Sequence, residues 1–497
     1  MSIPGFLISA RDRARLAEVL SVARRFGVDG LMARFGLADA KVGQDPPDLP
    51  TRTRQALETL GPTYIKLGQI LATRRDLLDD RWTAALEELQ SGATRIPFEQ
   101  LQAQVEASLG EPVETAFARF DREPLAAASM AQVHRAELHD GQQVVLKIRR
   151  PGIRAIIEAD LRLIRQAIGL AQKTSAELRR FDPVAMVDQL TRDLLDELDF
   201  TREGRNADLL RANFADQDAV LLPGIHWQWT SEDLLVMDYI DGIAPRDPES
   251  LRQAGIDPDR MADLGAETVL DMVLVNGRFH GDPHPGNLLC LPGNRLALLD
   301  LGSIGIISPR RQHEFLTFVL GLRGGDPQAV ADMLAVWSGR VAVPRERVVH
   351  AAERMVARHG SGPLVINALI ADFFPLLRSE GMVLPPDLLL IFKAMVTMDG
   401  VLAQISPGFD LSQALEAAQA KIAGARLSAL LKPERAEALL LELSRIVADA
   451  PHLIRSASAW IDRQPAEPPP PLAPAIMRAG WLITGALLVL ALSQVVG

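Results

Sequence analysis

Apolar positions along this chain fall into separate rhythms, each of which predicts an element. Val144, Leu146 and Ile148 recur at every second residue after the His139-Asp140-Gly141-Gln142 turn. That is the period of a strand, and it puts Lys147 on the face opposite the three aliphatics. A second pair of apolar runs, Asn287–Leu291 and Arg295–Leu299, flanks Pro292-Gly293-Asn294 and predicts a hairpin. Met186 to Leu210 carries Val187, Leu190, Leu194 and Leu198 at helical spacing. Residues 11–36 repeat Leu16, Val19, Leu20 and Ala23 the same way. Ala351 to Ile461 is helical by pattern, with apolar runs such as Leu388–Phe392, and is expected to complete a larger helical lobe. Lys41–Pro50 and the proline-rich Gln464–Pro474 read as linkers. Beyond the second linker, Ala479 to Gly497 has no charge and no polar periodicity. As a helix it would be about 28 Å long, the thickness of a bilayer core, and it predicts a transmembrane anchor with Trp481 at one interface.

Chemistry concentrates on the predicted hairpin. His280-Gly281-Asp282 leads to Asn287, and Asp300-Leu301-Gly302 follows on the return strand. Protein kinases use this order: an Asp accepts the substrate hydroxyl proton, while the Asn and a second Asp hold magnesium on the phosphates. Asp282 is therefore the catalytic candidate, and Asn287 and Asp300 are the metal candidates. Such a site also needs a lysine for the phosphates and a carboxylate to hold it. Lys147 fits the first, although a lysine on a strand is more often simply solvated. For the second, the Met186–Leu210 helix offers Glu197 as the best candidate, with Glu203 behind it. The phosphate-covering loop departs from the kinase pattern. In place of G-x-G-x-x-G stands Ala126-Ala127-Ala128-Ser129-Met130-Ala131-Gln132-Val133-His134. Alanines stiffen a loop that glycines would leave free to approach phosphate. By itself the run could equally open a helix.

Composition bounds the rest. Hydrophobic residues make up 48% of the 497 and aromatics 5%, so the core must be mostly aliphatic. A net charge of −10 with no basic domain argues against nucleic acid as a main partner. The single Cys290 excludes an internal disulfide and reads as a packing thiol. No Cys/His cluster suggests structural zinc, and Met1–Gly5 shows no secretory apolar region. In residues 11–36, Arg11, Arg13, Arg15, Arg24, Arg25 and Arg34 outnumber the acids. Such a helix can lie on an anionic membrane or pack on its own protein.

Together with Gly61-Pro62-Thr63-Tyr64-Ile65-Lys66-Leu67-Gly68-Gln69, these motifs resemble the UbiB family of atypical kinase-like proteins linked to ubiquinone biosynthesis. The Lys66-x-Gly68-Gln69 signature is absent from ordinary kinases, and Lys66 and Gln69 would share a helix face. The Ala72–Leu78 continuation also fits, and the likeness runs from about Thr51 to Ser308. The resemblance implies an α+β, protein-kinase-like two-lobe fold with a helical N-terminal extension and a C-terminal transmembrane helix. Expected bounds are 1–50 for an N-terminal segment and linker, 51–122 for the extension, 123–243 for the N-lobe, 244–463 for the C-lobe, 464–475 for a linker and 476–497 for the anchor. It implies ATP/ADP and Mg2+ as cofactors. Ala126, Ala127, Ala128, Ser129, Met130, Ala131, Val133, Lys147, Glu197, Met237 and Tyr239 would line the nucleotide, and Lys66 and Gln69 would be regulatory. The partners implied are lipid-like ubiquinone precursors, enzymes of ubiquinone biosynthesis and the inner, cytoplasmic membrane, with the catalytic body on the cytoplasmic side. After Gly302 only Ser303–Arg311 precedes the next helical pattern, and no A-P-E follows, so no long segment exists to cradle a peptide. A small-molecule kinase of aminoglycoside-phosphotransferase type and a non-catalytic pseudokinase scaffold are the alternatives.

Overall fold

The structure, a computed structural model, describes residues 10–28, 48–73, 78, 80–89, 94–174, 183–338, 343–360, 365–382, 384–409, 411 and 414–415. All of these lie in one compact unit, Met1–Ile422. The Gln464–Pro474 linker and the Ala479–Gly497 anchor expected from the sequence lie outside the described residues. So does most of the Lys41–Pro50 linker, whose end already belongs to a helix.

Four helices open the chain: α1 (Ala10–Arg25), α2 (Leu49–Leu60), α3 (Pro62–Thr73) and α4 (Asp80–Glu87). Gly61, at φ 97°, turns α2 into α3, and Pro62 starts the new helix, where its missing N–H costs nothing. The basic α1 packs on its own protein. Val22 and Ala23 are buried with Leu49, Ala56, Ile164 and Val187. Arg15 Nε lies 2.7 Å from Asp160, and Arg162 lies 2.9 Å from Asp12. Gly68 of α3 is crowded: a Cβ there would fall 2.3 Å from Leu89 Cδ1 and 2.9 Å from Leu57 Cδ1, so a side chain at this position would make those leucines shift.

Next come α5 (Gln102–Leu109), α6 (Val113–Ala116) and a five-stranded antiparallel sheet. Its order is β1 (Arg119–Phe120), β3 (Ala131–Glu137), β4 (Gln143–Arg149) and β6 (Leu234–Asp238), with β2 (Ala126–Ala127) also on β3. The alternation read from sequence is realised in β4. Val144, Leu146 and Ile148 are fully buried with Leu101, Val105, Leu234 and Val236, while Lys147 faces the other way. Each such aliphatic contributes about 1.5–3 kcal/mol by leaving water.

Between β4 and β6 lie α7 (Ile153–Thr174), α8 (Pro183–Glu197), α9 (Phe200–Asn213) and β5 (Val220–Leu221). The single helix expected over Met186–Leu210 is therefore two. Asp199 takes an extended conformation, and its side chain accepts from the Thr201 N–H at 3.0 Å, capping α9 and ending the run.

The second lobe begins with α10 (Pro248–Gln253), α11 (Pro258–Leu270) and a π-helical turn, Asp271–Asn276. β7 (Arg278–His280), β8 (Leu288–Leu291), β9 (Arg295–Leu298) and β10 (Ile304–Ile306) follow. Then come α12 (Pro309–Arg323), α13 (Pro327–Trp337), α14 (Arg345–His359), α15 (Ile366–Glu380) and α16 (Pro386–Ile405). Phe315, Phe318, Trp337, Phe373 and Phe392 form its aromatic centre. Among the described residues one helix, Asp387–Ile405, is long and apolar enough to cross a membrane. It is a core helix here, with Leu388, Ile391, Phe392, Met395, Met398 and Leu402 buried.

Candidate active site

The hairpin forms as its sequence predicts. β8 and β9 pair from Leu288↔Leu298 to Leu291↔Arg295, and Gly293 and Asn294 turn the chain at φ 80° and 55°. One further bond, Leu299 N–H to the Asn287 carbonyl at 2.8 Å, ties Asn287 beside the residue that precedes Asp300. Asp300 itself stands at φ 50°, a left-handed conformation that Asp tolerates better than bulkier residues.

His280 organises the loop and does not face solvent. It is fully buried, donates from Nε2 to the Leu299 carbonyl at 2.9 Å and accepts the Asp282 N–H on Nδ1 at 3.1 Å. Burial lowers its pKa, so the ring is neutral and one tautomer satisfies both bonds. Asn287 Nδ2 donates to the Asp282 carbonyl at 3.1 Å, which locks the far end of the loop. Gly281 donates to the Ser303 carbonyl at 2.8 Å, and a Cβ at this position would lie 2.7 Å from Ser303 Oγ. Cys290, on β8, is buried and its thiol is pushed up to about 12 by that burial, as befits a packing residue.

Lys147 Nζ lies 2.9 and 2.8 Å from the two oxygens of Glu203 and 3.0 Å from Asp300 Oδ1. The carboxylate partner of Lys147 is thus Glu203 and not Glu197. Burial pulls the Lys147 ammonium down, but Asp300 and Glu203 outweigh it, and its pKa stands above the ordinary lysine value. Lys147 in turn holds the half-exposed Asp300 carboxyl down at about 2. Burial pushes Glu203 upward against the pull of Lys147.

Glu197 binds a different lysine. Its Oε2 lies 2.8 Å from Lys66 Nζ of the Lys66-x-Gly68-Gln69 helix. The break at Asp199 explains the exchange, because it turns Glu203 into a new helix under Lys147 and leaves Glu197 at the end of α8, beside α3. Burial lowers the Lys66 pKa, but Glu197, Asp282 and Asp300 together lift it above the ordinary lysine value, so Lys66 sits within the field of those three carboxylates. Gln69 is exposed. The same extension also touches the C-lobe, where Arg378 of α15 donates to the Leu78 carbonyl.

The alanine run makes a hairpin and does not open a helix. Ala126 pairs with Val133 and Ala127 with Gln132, and the Ala128 N–H bonds the Ala131 carbonyl at 2.8 Å across Ser129-Met130. Arg150 clamps it, donating from Nε to the Ala128 carbonyl and from its backbone N–H to Met130, both at 2.9 Å. Met130 is buried among Ile157, Leu194 and Leu198, with Leu67 and Ile70 of α3 alongside. Cross-strand register places Val133 opposite Lys147 and Met237 opposite Val145, so all four share the sheet face away from the apolar core. Ala131 joins Met237 and Phe200 on that face. Tyr239 follows β6, its N–H bonded to the Gln143 carbonyl at 3.0 Å and its ring 4.2 Å from the Arg135 guanidinium.

One residue of the site went unforeseen. Lys393 of α16 lies 3.2 Å from Asp282 Oδ1. Its only sequence signal is that it is the sole charge between Leu388 and Met398, and nothing local connects it to a loop more than a hundred residues earlier.

Among the described residues no three His, Cys, Asp or Glu side chains converge as a metal group. The candidate donors are the Asp300 carboxylate and the Asn287 carboxamide oxygen, two hard oxygens. That suits magnesium, which takes one or two protein ligands and completes its shell with water and substrate phosphates.

The ABC1 atypical kinase-like domain matches residues 88–334, and the UbiB helical domain matches residues 364–410. A protein of Marinobacter nauticus named "Probable protein kinase UbiB" is 37% identical over 370 residues, 72% of this chain and 67% of that protein. A protein of the same name from Pseudomonas paraeruginosa is 33% identical over 461 residues, 89% of this chain and 84% of its own. The solved complex of Rv3197 with erythromycin, from Mycobacterium tuberculosis, is 21% identical with a TM-score of 0.48, over 70% of this chain and 90% of that one.

Proposed function

Because the chain belongs to the UbiB family of atypical kinase-like proteins, which implies a place in ubiquinone biosynthesis, we propose that it is an ATP-using, magnesium-dependent enzyme acting for lipid-like ubiquinone precursors at a membrane. The observation that carries this reading is the meeting of Lys147, Glu203 and Asp300 within 3.0 Å, at the mouth of a hairpin that also brings Asn287.

Lys147 would bind the phosphates, oriented by Glu203. Asp282, its backbone fixed by His280 and Asn287, would take the proton of the attacking oxygen as that oxygen bonds the terminal phosphorus and ADP leaves. Asp300 and Asn287 would hold magnesium, which would neutralise charge on the phosphates. The hairpin of Ala126–Ala131 would cover the nucleotide, with Val133, Met237 and Tyr239 along the same face. Lys66 and Gln69 would regulate access, since Met130 at the hairpin tip packs on Leu67 and Ile70 of α3, and the Lys66–Glu197 pair ties the same helix to α8. The chain passes directly from Gly302 through β10 into α12, which leaves no extended platform for a peptide. A small lipid-like acceptor, or water, fits better than a protein. Residues 476–497 would anchor the body on the cytoplasmic side of the inner membrane, beside other enzymes of ubiquinone biosynthesis.

Nucleotide affinity and turnover should be measured with and without magnesium, on liposomes with and without a ring-plus-polyprenyl lipid. Binding and turnover that need magnesium, with turnover raised by the lipid, are expected. Asp300→Asn should abolish the magnesium-dependent part of binding and leave the fold intact. Unchanged affinity in that variant refutes the assignment.

A further inference from the structure

The catalytic loop, Asp282-Pro283-His284-Pro285-Gly286-Asn287, contains no lysine or arginine. Phosphoryl transfer nevertheless depends on opposing the charge that spreads over the moving phosphoryl oxygens. Two lysines of the site are committed, Lys147 to Glu203 and Asp300, and Lys66 to Glu197. Lys393 is placed differently. Its ammonium touches Asp282 Oδ1 at 3.2 Å while 36% of its side chain stays exposed. An ammonium has three donors, so one carboxylate contact leaves capacity for a second oxygen ligand.

The helix that carries Lys393 is fixed against the loop. Ile391, Phe392, Ala394 and Met395 around it are buried. Leu390, one turn earlier, reaches Gly281, where a Cβ would lie 3.3 Å from Leu390 Cδ1. The cation therefore arrives on a rigid element from the C-terminal helical region, not from the loop it serves.

Resting on the reading of the site as a magnesium–ATP site, we propose that Lys393 binds the terminal phosphate of ATP. A general base sits about 3 Å from the attacking oxygen, which in turn sits about 3–3.5 Å from phosphorus. Phosphoryl oxygens then fall within roughly 6 Å of the carboxylate that Lys393 already touches, within reach of its four-carbon stem. In the reaction the attacking oxygen bonds phosphorus and its proton passes to Asp282. The bond between phosphorus and the bridging oxygen breaks, and the electron pair leaves with ADP. Lys393 opposes the charge on the phosphoryl oxygens and, by leaving Asp282, frees that carboxylate to accept the proton.

Calorimetric affinities of the full chain for magnesium–ADP and for the magnesium complex of β,γ-imido-ATP test this, alongside kcat for ATP hydrolysis. Lys393→Met should weaken imido-ATP about tenfold and leave ADP within about twofold, because the lost bond is to a charged terminal phosphate. Its kcat should fall about a hundredfold, and Lys393→Arg should recover part of both. If Lys393→Met does not fold, Lys393→Gln carries the same comparison. Equal weakening of both nucleotides, or of neither, overturns the assignment of Lys393. If the parent chain binds neither nucleotide, the magnesium–ATP reading itself fails and takes the ligand of Lys393 with it.

Discussion

Two lysine–glutamate pairs stand on either side of the Asp199 break, and they differ in burial more than in bond length. Lys147–Glu203 closes at 2.8 Å with side chains 14% and 7% exposed. Lys66–Glu197 also closes at 2.8 Å, but its side chains are 27% and 37% exposed. The same chemistry therefore does two jobs. In the first pair water is excluded, so removing one partner strands a charge, and the pair behaves as fixed structure of the site. In the second, water can replace either partner, so the contact between α3 and α8 can open at little cost.

The largest effect should follow from breaking the buried pair. Glu203→Ala is expected to lower stability by about 3 kcal/mol, read from urea unfolding, because Lys147 is left with the half-exposed Asp300 alone. A loss no larger than that of the outer pair would remove the distinction.

A pH series sharpens the same point at smaller amplitude. Asp300 lies at about 2, below its ordinary value, because Lys147 favours its ionised form. The stability this contributes is complete above about pH 4 and is lost as pH falls through 2. The difference in stability between parent and Lys147→Met should therefore be full near neutrality and shrink in acid. A difference that grows in acid would contradict Lys147 as the cause.

The smallest effect belongs to the outer pair. Glu197→Ala should cost less than about 1 kcal/mol in the same unfolding experiment. It should instead change the rate at which nucleotide enters and leaves, followed by stopped-flow fluorescence of a labelled ADP. Unaltered exchange rates would mean that the Lys66–Glu197 contact gates nothing.

Much of this site was legible in the residues themselves. The strand period around Lys147, the hairpin joining Asn287 to Asp300 and the loop from His280 to Asn287 are local, set by alternation and by turn residues within a few positions. The Asp199 break was legible in principle: an Asp ahead of a new helical run is a cap, but the continuous apolar spacing of Val187, Leu190, Leu194 and Leu198 masked it. That one cap exchanged the partners of Glu197 and Glu203, since ending a helix redirects every later side chain.

By itself, then, the sequence determined the kinase-like fold, the family, and the local loop and hairpin that carry Asp282, Asn287 and Asp300. Those follow from short-range patterns that few alternatives share. Tertiary structure alone decided which glutamate meets which lysine, which leucines crowd Gly68, and that Lys393 reaches Asp282. Each of those depends on the distance between elements far apart in the chain, and packing, not periodicity, sets that distance.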